Sequence, residues 1–308
     1  MASKSTVNRP IIRIGGKRSF LRLPLHSILL LPAIAVLLLV ILYPLVSSAI
    51  LSFFHYNLTD PLNHGFVGTD NFTKLAHDGN FWLSLKNTLV FTFASVIISL
   101  LVGLIVAIAV DQLPEKYSGF TRGLILAPWI IPAVVVAYLF MYIFDVEVGL
   151  ANFILQQLHI IKEYLPWLMR GDLAMTACVI ANCWNQIPFY ILMFAAGLKT
   201  IPQDVKEATL EMGANRWQEF WHVTLPYLRG IIVITSLLQI IRNLNNFPII
   251  YTMTGGGPAY ETTTLVVYIY RLAFENFELG YSAAVGFIWC VVLTILAGFY
   301  VKMLTKDF

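Results

Sequence analysis

The chain has 308 residues, 58% of them hydrophobic and only 12% charged, and its formal net charge is +3. Its apolar residues are gathered into runs too long for the strands or core helices of a soluble domain, so the composition excludes a soluble protein and indicates a membrane-embedded one. The small positive charge follows the membrane topology, which leaves a nucleic-acid-binding role without support.

Six apolar segments are each long enough for a membrane-spanning helix, which needs about 20 residues. Backbone polar groups in hydrocarbon must be satisfied within the segment, so we expect helices and an all-α polytopic fold. The first segment is too long for a signal peptide and no small-residue cleavage site follows it, so it is predicted to be a span. The predicted spans are 27–54, 88–110, 123–144, 174–198, 230–253 and 282–303, which form one transmembrane domain over 27–308 after a basic segment, 1–26.

The distribution of basic residues predicts the orientation in the membrane. Lys and Arg residues are concentrated in segments 1–26, 111–122, 199–229 and 304–308. Because cytoplasmic loops carry an excess of basic residues, these segments are predicted to be cytoplasmic, and both termini lie on that side. The segment between the fourth and fifth predicted spans is then the longest internal loop.

The cytoplasmic loop over 200–226 is predicted to contain two short helices. Pro202 and Asp204 mark the start of the first helix, Gly213 ends it, and Asn215 is suited to cap the second. We expect the second helix to pack under the membrane domain through its apolar side chains, which are Phe220, Trp221 and Val223. The residues alone equally allow a solvated amphipathic loop.

This loop resembles the EAA loop of ABC importer permeases. The residues that fall at the spacing of that pattern are Glu207, Ala208, Thr209, Gly213, Val223, Leu225 and Pro226. Thr209 replaces the second Ala of the pattern, and Met212 stands where an Asp often precedes the Gly. The resemblance implies that the loop docks in a cleft of a separate ATPase, and the docking residues it implies are Glu207, Ala208, Gly213 and Ala214.

Other motifs extend the resemblance to sugar-type permeases over nearly the whole chain after the first span. They include residues 66–72, residues 254–258, and Pro128 and Trp129 with Pro132, which are expected to break the third span. The resemblance implies a type I ABC importer permease fold with six transmembrane helices in a bacterial cytoplasmic (inner) membrane, surrounded by lipid. It also implies that the chain is a transport subunit for a sugar or oligosaccharide and not an enzyme.

The resemblance further implies a set of partners. Six spans supply half of a transport path, so we expect a heterodimer with a second homologous permease, two copies of an ABC ATPase and an extracytoplasmic solute-binding protein. The sequence contains no G-x-x-x-x-G-K-[ST] motif. We therefore expect no cofactor on this chain, and ATP and Mg²⁺ on the ATPase.

Polar residues within the predicted spans indicate a cargo site, because they are costly in a bilayer unless they pair or line a pathway. By comparison with maltose-type permeases, the resemblance implies nine cavity-lining residues, which are Trp129, Ala133, Asn182, Asn185, Gln186, Phe189, Arg242, Asn243 and Asn246. Amides can bind sugar hydroxyls, and aromatic rings can stack on sugar C–H surfaces. Hydrogen bonding between helices is the alternative role for the amides.

Arg242 departs from the maltose-type site, where an aromatic residue commonly stands. One interpretation is a cation that snorkels to the membrane surface or pairs with a neighbouring helix. The other is a counter-charge for an acidic cargo, such as a uronate oligosaccharide, because a guanidinium binds a carboxylate through two parallel hydrogen bonds.

The alternative function is an ion-gradient-driven secondary transporter of a small polar solute. Such carriers often bury acidic residues in mid-span, whereas the six predicted spans contain neither Asp nor Glu. An intramembrane enzyme lacks support because the sequence has no His pair at metal-ligand spacing and no paired carboxylates within a span. Packing residues, not metal ligands, are predicted at the three cysteines, Cys178, Cys183 and Cys290.

Overall fold

A computed structural model describes residues 25–304, so most of the predicted basic segment 1–26 lies outside the described residues. The chain divides into two compact units, Met1–Ser47 and Ser48–Phe308. In chain order the elements are α1 (Leu25–Leu37), α2 (Tyr43–Leu51), β1 (Phe54–His55), β2 (Gly65–Phe66), α3 (Asp70–His77), α4 (Gly79–Asp111), α5 (Glu115–Ile130), α6 (Ala133–Ile143), α7 (Leu150–Gln157), α8 (Gly171–Leu198), α9 (Gln203–Glu211), α10 (Arg216–Glu219), α11 (Leu225–Leu244), α12 (Pro248–Thr254), α13 (Leu265–Tyr270) and α14 (Leu279–Leu304).

One long apolar helix begins in the first unit. A π-helical turn, Leu38–Leu42, lies between α1 and α2. The resulting helix, Leu29–Leu51, has a mean hydropathy of 2.8. It is long and apolar enough to cross a membrane, and it overlaps the predicted span 27–54.

Four helices among the described residues of the second unit also meet the length and composition of a span: Gly79–Asp111, Gly171–Leu198, Arg216–Leu244 and Leu279–Lys302. Each overlaps a predicted span, but α4 begins about two and a half turns before residue 88. Its start is fixed by Asp78, whose side chain accepts a hydrogen bond from the backbone N–H of Asn80 at 2.9 Å. A carboxylate at this position satisfies an N–H group that the helix itself leaves unpaired.

Helices α4, α8 and α11 pack closely, and glycine permits two of the contacts. A Cβ atom added at Gly103 would lie 2.5 Å from the Cβ of Tyr190. One added at Gly197 would lie 2.5 Å from the Cδ2 of Leu228. Because lipid is as apolar as leucine, helices in a membrane gain from such close backbone approach. The buried core of the second unit lies along these contacts.

The third predicted span, 123–144, is sharply bent. Its two halves, Gly123–Ile130 and Ala133–Ile143, meet at 99°. Pro132 lacks the N–H that a continuous helix needs, and it forces Ile131 into an extended conformation with a ψ of 129°. The break agrees with the role that the sequence predicts for Pro132.

The fifth predicted span, 230–253, is not one continuous helix. α11 ends at Leu244, and α12 begins at Pro248 after a short irregular segment. Proline is suited to the first turn of a helix but disfavours helical geometry in the residue before it. The prediction of a single helix overlooked Pro248, and the structure replaces it with two helices joined at Asn245 to Phe247.

Candidate translocation site and coupling segment

Three buried amide side chains join α8 to α11. The Nδ2 of Asn182 donates to the Oδ1 of Asn243 at 2.8 Å, and the Nε2 of Gln186 donates to the same oxygen at 2.8 Å. In return, the Nδ2 of Asn243 donates to the Oε1 of Gln186 at 3.0 Å. All three side chains are at least 98% buried. We call these residues the amide network, and their mutual bonds offset the cost of burying polar groups.

The amide network extends to the break between α11 and α12 through Asn246. Its Nδ2 donates to the Oδ1 of Asn182 at 2.9 Å, while its buried Oδ1 has no hydrogen-bond partner among the described residues. On the other side, the Nδ2 of Asn243 also donates to the backbone carbonyl of Gln239 at 2.9 Å. An unpaired buried oxygen beside a polar cluster can accept a hydrogen bond from a sugar hydroxyl only when a movement of the helices exposes it.

Gln239 is a polar residue of this region that the sequence reasoning missed. Its side chain is 2% exposed, and its Oε1 has no partner among the described residues. The signal was present, because Gln239 and Asn243 are four residues apart and so share one face of α11. A search for polar helical periodicity within the fifth span would have found it.

Asn185 has a different environment from the amide network. Its Nδ2 donates to the carbonyl oxygen of Pro128 at 2.8 Å and to that of Ile131 at 3.3 Å. These carbonyls lose their helical hydrogen-bond partners where Pro132 interrupts the helix. Asn185 therefore holds the bend between α5 and α6 in place.

Trp129 and Phe189 lie together at this bend. Their ring centroids are 6.0 Å apart with an angle of 40° between the planes, and Trp129 is 38% exposed. Ala133 is partly buried against the neighbouring apolar core. Two adjacent aromatic rings beside a small residue leave an apolar surface that a flat ligand can cover.

Arg242 lies on α11 with its side chain exposed. Among the described residues, no carboxylate lies within ion-pair distance of its guanidinium. Arg242 precedes Asn243 of the amide network in sequence. Seven of the nine predicted residues take part in the hydrogen bonds or ring contact described above, whereas Arg242 and Ala133 do not. The roles of all nine toward cargo stay predictions.

The loop over 200–226 forms α9 and α10, joined at a glycine. The second predicted helix is not separate, because α10 continues through the π-helical turn Phe220–Thr224 into α11. Gly213 has a φ of +71°, which an L-residue rarely adopts, and the N–H of Ala214 donates back to the carbonyl of Thr209 at 3.2 Å. Asn215 then caps α10 in a reciprocal pair with Gln218, each bond being 2.9 Å long. Two local caps therefore fix the angle between the helices.

The end of this loop is attached to the membrane helices. Phe220 and Val223 pack against the apolar core that contains Tyr190 and Phe194 of α8. Trp221, which was expected to pack there too, is 47% exposed. In the first part of the loop, Ile201 belongs to the same core and Thr209 is buried, whereas the outer face of α9 is exposed. The exposed side chains of this part include Glu207, Ala208 and Met212, and Glu207 accepts a hydrogen bond from the Nε2 of Gln203 at 3.0 Å.

A second polar cluster, which contains none of the predicted site residues, lies at the N-terminal end of α4. The hydroxyls of Tyr268 and Tyr281 both donate to one carboxylate oxygen of Asp78, the second at 2.5 Å. Burial raises the pKa of the Asp78 carboxyl, but these hydrogen bonds and the N–H of Asn80 outweigh it and hold the pKa below its usual value. Asp78 is 190 and 203 positions from the two tyrosines, so no local pattern predicts their meeting.

Comparisons with known proteins agree with this geometry. Residues 99–307 match the family described as "Binding-protein-dependent transport system inner membrane component". The sulfoquinovosyl glycerol transport system permease protein SmoG of Agrobacterium fabrum is 34% identical over 92% of this chain and 91% of its own length. The trehalose/maltose transport system permease protein MalF of Thermococcus litoralis is 33% identical over 86% and 87%.

A solved structure shows the same fold. It is a bacterial ABC transporter involved in the import of the acidic polysaccharide alginate, and a chain of it superposes with a TM-score of 0.78 at 21% identity over 92% of this chain and 95% of that one. The predicted resemblance and the polytopic permease fold are thereby confirmed. This protein belongs to the family of inner membrane components of binding-protein-dependent transport systems, and it acts as a transport permease.

Proposed function

We propose that this chain forms half of the translocation path for a sugar or oligosaccharide. Two relatives above 30% identity are named for transport of sulfoquinovosyl glycerol and of trehalose or maltose. The observation that carries the proposal is the amide network between α8 and α11, with a free oxygen on Asn246 and two aromatic rings nearby. Amide groups and aromatic faces are the chemistry that sugars need.

The predicted site residues divide into two roles. Asn182, Gln186 and Asn243 satisfy one another and are buried, so they position the helices and orient Asn246. Asn185 supports the bend that carries Trp129. Direct contact with cargo then belongs to the more accessible residues, which are Trp129, Phe189, Arg242 and Asn246, while Ala133 leaves room beside the rings.

Arg242 gives the path a preference for acidic sugars under this proposal. An exposed guanidinium with no carboxylate partner among the described residues can receive a carboxylate from the cargo. A uronate oligosaccharide combines the carboxylate with the hydroxyls that Asn246 can bind.

ATP hydrolysis on a partner drives the cycle in this scheme. Two copies of an ABC ATPase bind ATP and Mg²⁺, a second permease completes a heterodimer, and a solute-binding protein delivers cargo from the outer side. The ATPase contacts α9 and the turn after it, at Glu207, Ala208, Gly213 and Ala214. Since Phe220 and Val223 fix the same loop to α8, closure of the ATPases becomes a rigid-body movement of the membrane helices. This orientation keeps both termini in the cytoplasm of a bacterium.

Isolation of the whole complex tests the proposal. A tag on this chain should recover an ATPase and a second permease, and binding protein loaded with sugar should stimulate ATP hydrolysis. Cells that produce the complex should take up at least one of maltotriose and trigalacturonate in an ATP-dependent manner. Uptake that follows a proton or sodium gradient, or a complex without an ATPase, would contradict the proposal.

A further inference from the structure

Four aromatic side chains form a continuous series beside the break in the fifth segment, and we call Phe247, Tyr251, Tyr270 and Phe274 the aromatic ladder. Phe247 and Tyr251 stack with centroids 4.7 Å apart and planes at 18°. Tyr270 meets Tyr251 edge-on at 4.8 Å and Phe247 at 5.0 Å. Phe274 follows at 5.0 Å from Tyr270. Adjacent rings are therefore in contact along the whole series.

Sequence spacing accounts for the ladder. Phe247 and Tyr251 are four residues apart at the start of α12, and Tyr270 and Phe274 are four residues apart across the end of α13 and the π-helical turn Arg271–Glu275. Residues with this spacing lie on one helix face, so each pair forms one half of the ladder. Contacts between the two halves fix the ring orientations, which lowers the entropy cost of binding a ligand.

Polar and charged groups border the rings. Phe274 is 64% exposed, and the other three rings are partly exposed. The Nε of Arg271 lies 2.9 Å from the Oε2 of Glu275, and the hydroxyl of Tyr251 lies 3.5 Å from the Oε1 of the same carboxylate. Exposed rings beside a carboxylate, a guanidinium and a phenol are suited to a ligand with both C–H faces and hydroxyls.

The ladder leads toward the candidate translocation site. Its first ring, Phe247, directly follows Asn246, whose Nδ2 donates to Asn182 of the amide network. Its last ring, on Phe274, is the most exposed of the four. A ligand that moves from Phe274 to Phe247 thus passes from an open surface to the polar groups of the site.

We propose that the aromatic ladder is a second sugar-binding site, which captures an oligosaccharide and passes it to the cargo-contacting residues beside the amide network. The inference rests on the proposed function. Sugar C–H groups carry a small positive charge and are attracted to the negative faces of the rings, while Glu275 and Arg271 bind hydroxyls. Rings in series allow a chain of sugar units to advance with little change in energy at each step. The ladder thereby favours oligosaccharides over single sugars.

Removal of the outermost ring tests the ladder. In cells that produce the complete transporter, Phe274→Ala should raise the concentration of maltotriose or trigalacturonate for half-maximal uptake about three- to tenfold and leave the maximal rate near that of the wild type. Phe274→Trp should restore wild-type capture, because it retains an aromatic face. Phe153→Ala is the matched control, since Phe153 is a 53% exposed aromatic residue on α7 outside the ladder.

The outcomes separate the two proposals. If the wild type takes up a probe and Phe274→Ala reaches half-maximal uptake at the same concentration, the ladder is overturned and the proposed function stands. An equal defect in Phe274→Ala and Phe153→Ala also overturns the ladder, because it reports a general effect of lost exposed rings. Absence of uptake of both probes by the wild type overturns the sugar assignment and the ladder with it.

Discussion

The amide network and the coupling segment of α9 and α10 differ in burial and in where their polar groups find partners. The network is buried, and its amides bind one another across α8 and α11. The coupling segment is fixed by its own caps at Gly213 and Asn215, and its outer side chains stay exposed. Buried amides that bind one another are suited to holding helices together inside a bilayer. A rigid segment with exposed side chains is suited to binding a partner protein.

The largest effect should follow from breaking the amide network. Asn243→Leu removes two donors and one shared acceptor, so the buried amides of Asn182 and Gln186 lose partners. We expect the unfolding free energy in detergent to fall by about 2 kcal/mol, measured by thermal or denaturant unfolding. Asn245→Leu is the control, because Asn245 is exposed on the same helix end. An equal loss in both variants would mean that the network contributes no special stability.

A change at Gly213 should act on coupling with a smaller effect on stability. Gly213→Ala places a Cβ at a φ of +71°, which costs about 1 to 2 kcal/mol and favours a different angle between α9 and α10. We expect ATP hydrolysis by the complex to lose its stimulation by loaded binding protein. Gly230→Ala, in the interior of α11 with open space around it, should leave stimulation unchanged. Full stimulation in Gly213→Ala would show that the angle is unimportant.

Arg242 allows a test of cargo binding apart from stability. It is a charged residue next to Asn243 in sequence, but it is not part of the amide network. Arg242→Gln should leave stability unchanged and weaken uptake of trigalacturonate about tenfold, with little effect on maltotriose. Arg229→Gln, on the same helix and also exposed, is the control. Equal uptake of the acidic probe by Arg242→Gln and the wild type would remove Arg242 from the site.

The smallest effect concerns Asp78, which lies far from both regions along α4. Its folded pKa is lowered, so its contribution to stability is present above the ordinary Asp value of about 3.9 and is lost as pH falls through the lower folded pKa. We expect Asp78→Asn to flatten the fall in melting temperature below pH 4. An unchanged pH profile in this variant would contradict the lowered pKa.

The coupling segment could be predicted from sequence more completely than the translocation site. The turn at Gly213 and the cap at Asn215 depend on neighbouring residues, so local patterns indicate them. The partners of Asn182 and Asn246 lie about 60 residues away, and which amides would bind each other depends on how α8 and α11 pack. The sequence therefore suggested the polar residues, while the structure divided them into buried and accessible groups.

The break at Pro248 and the hydrogen bonds of Asp78 were not predicted from the sequence, whereas the break at Pro132 was. Pro132 broke the third span as expected, because proline acts on its own backbone neighbourhood. Pro248 acts in the same way, but the apolar run around it concealed the break between α11 and α12. The hydrogen bonds of Tyr268 and Tyr281 to Asp78 had no local signal at all.

The most direct measurement of the central claim is photo-crosslinking from Ala208 in the assembled transporter. A photoreactive phenylalanine analogue at this exposed position of α9 should crosslink to the nucleotide-hydrolysing subunit. The same analogue at Leu62, which is 95% exposed in the predicted outer loop, should give no such product. Crosslinking from Leu62 but not from Ala208 would contradict the assignment of α9 as the contact between this permease and its ATPase.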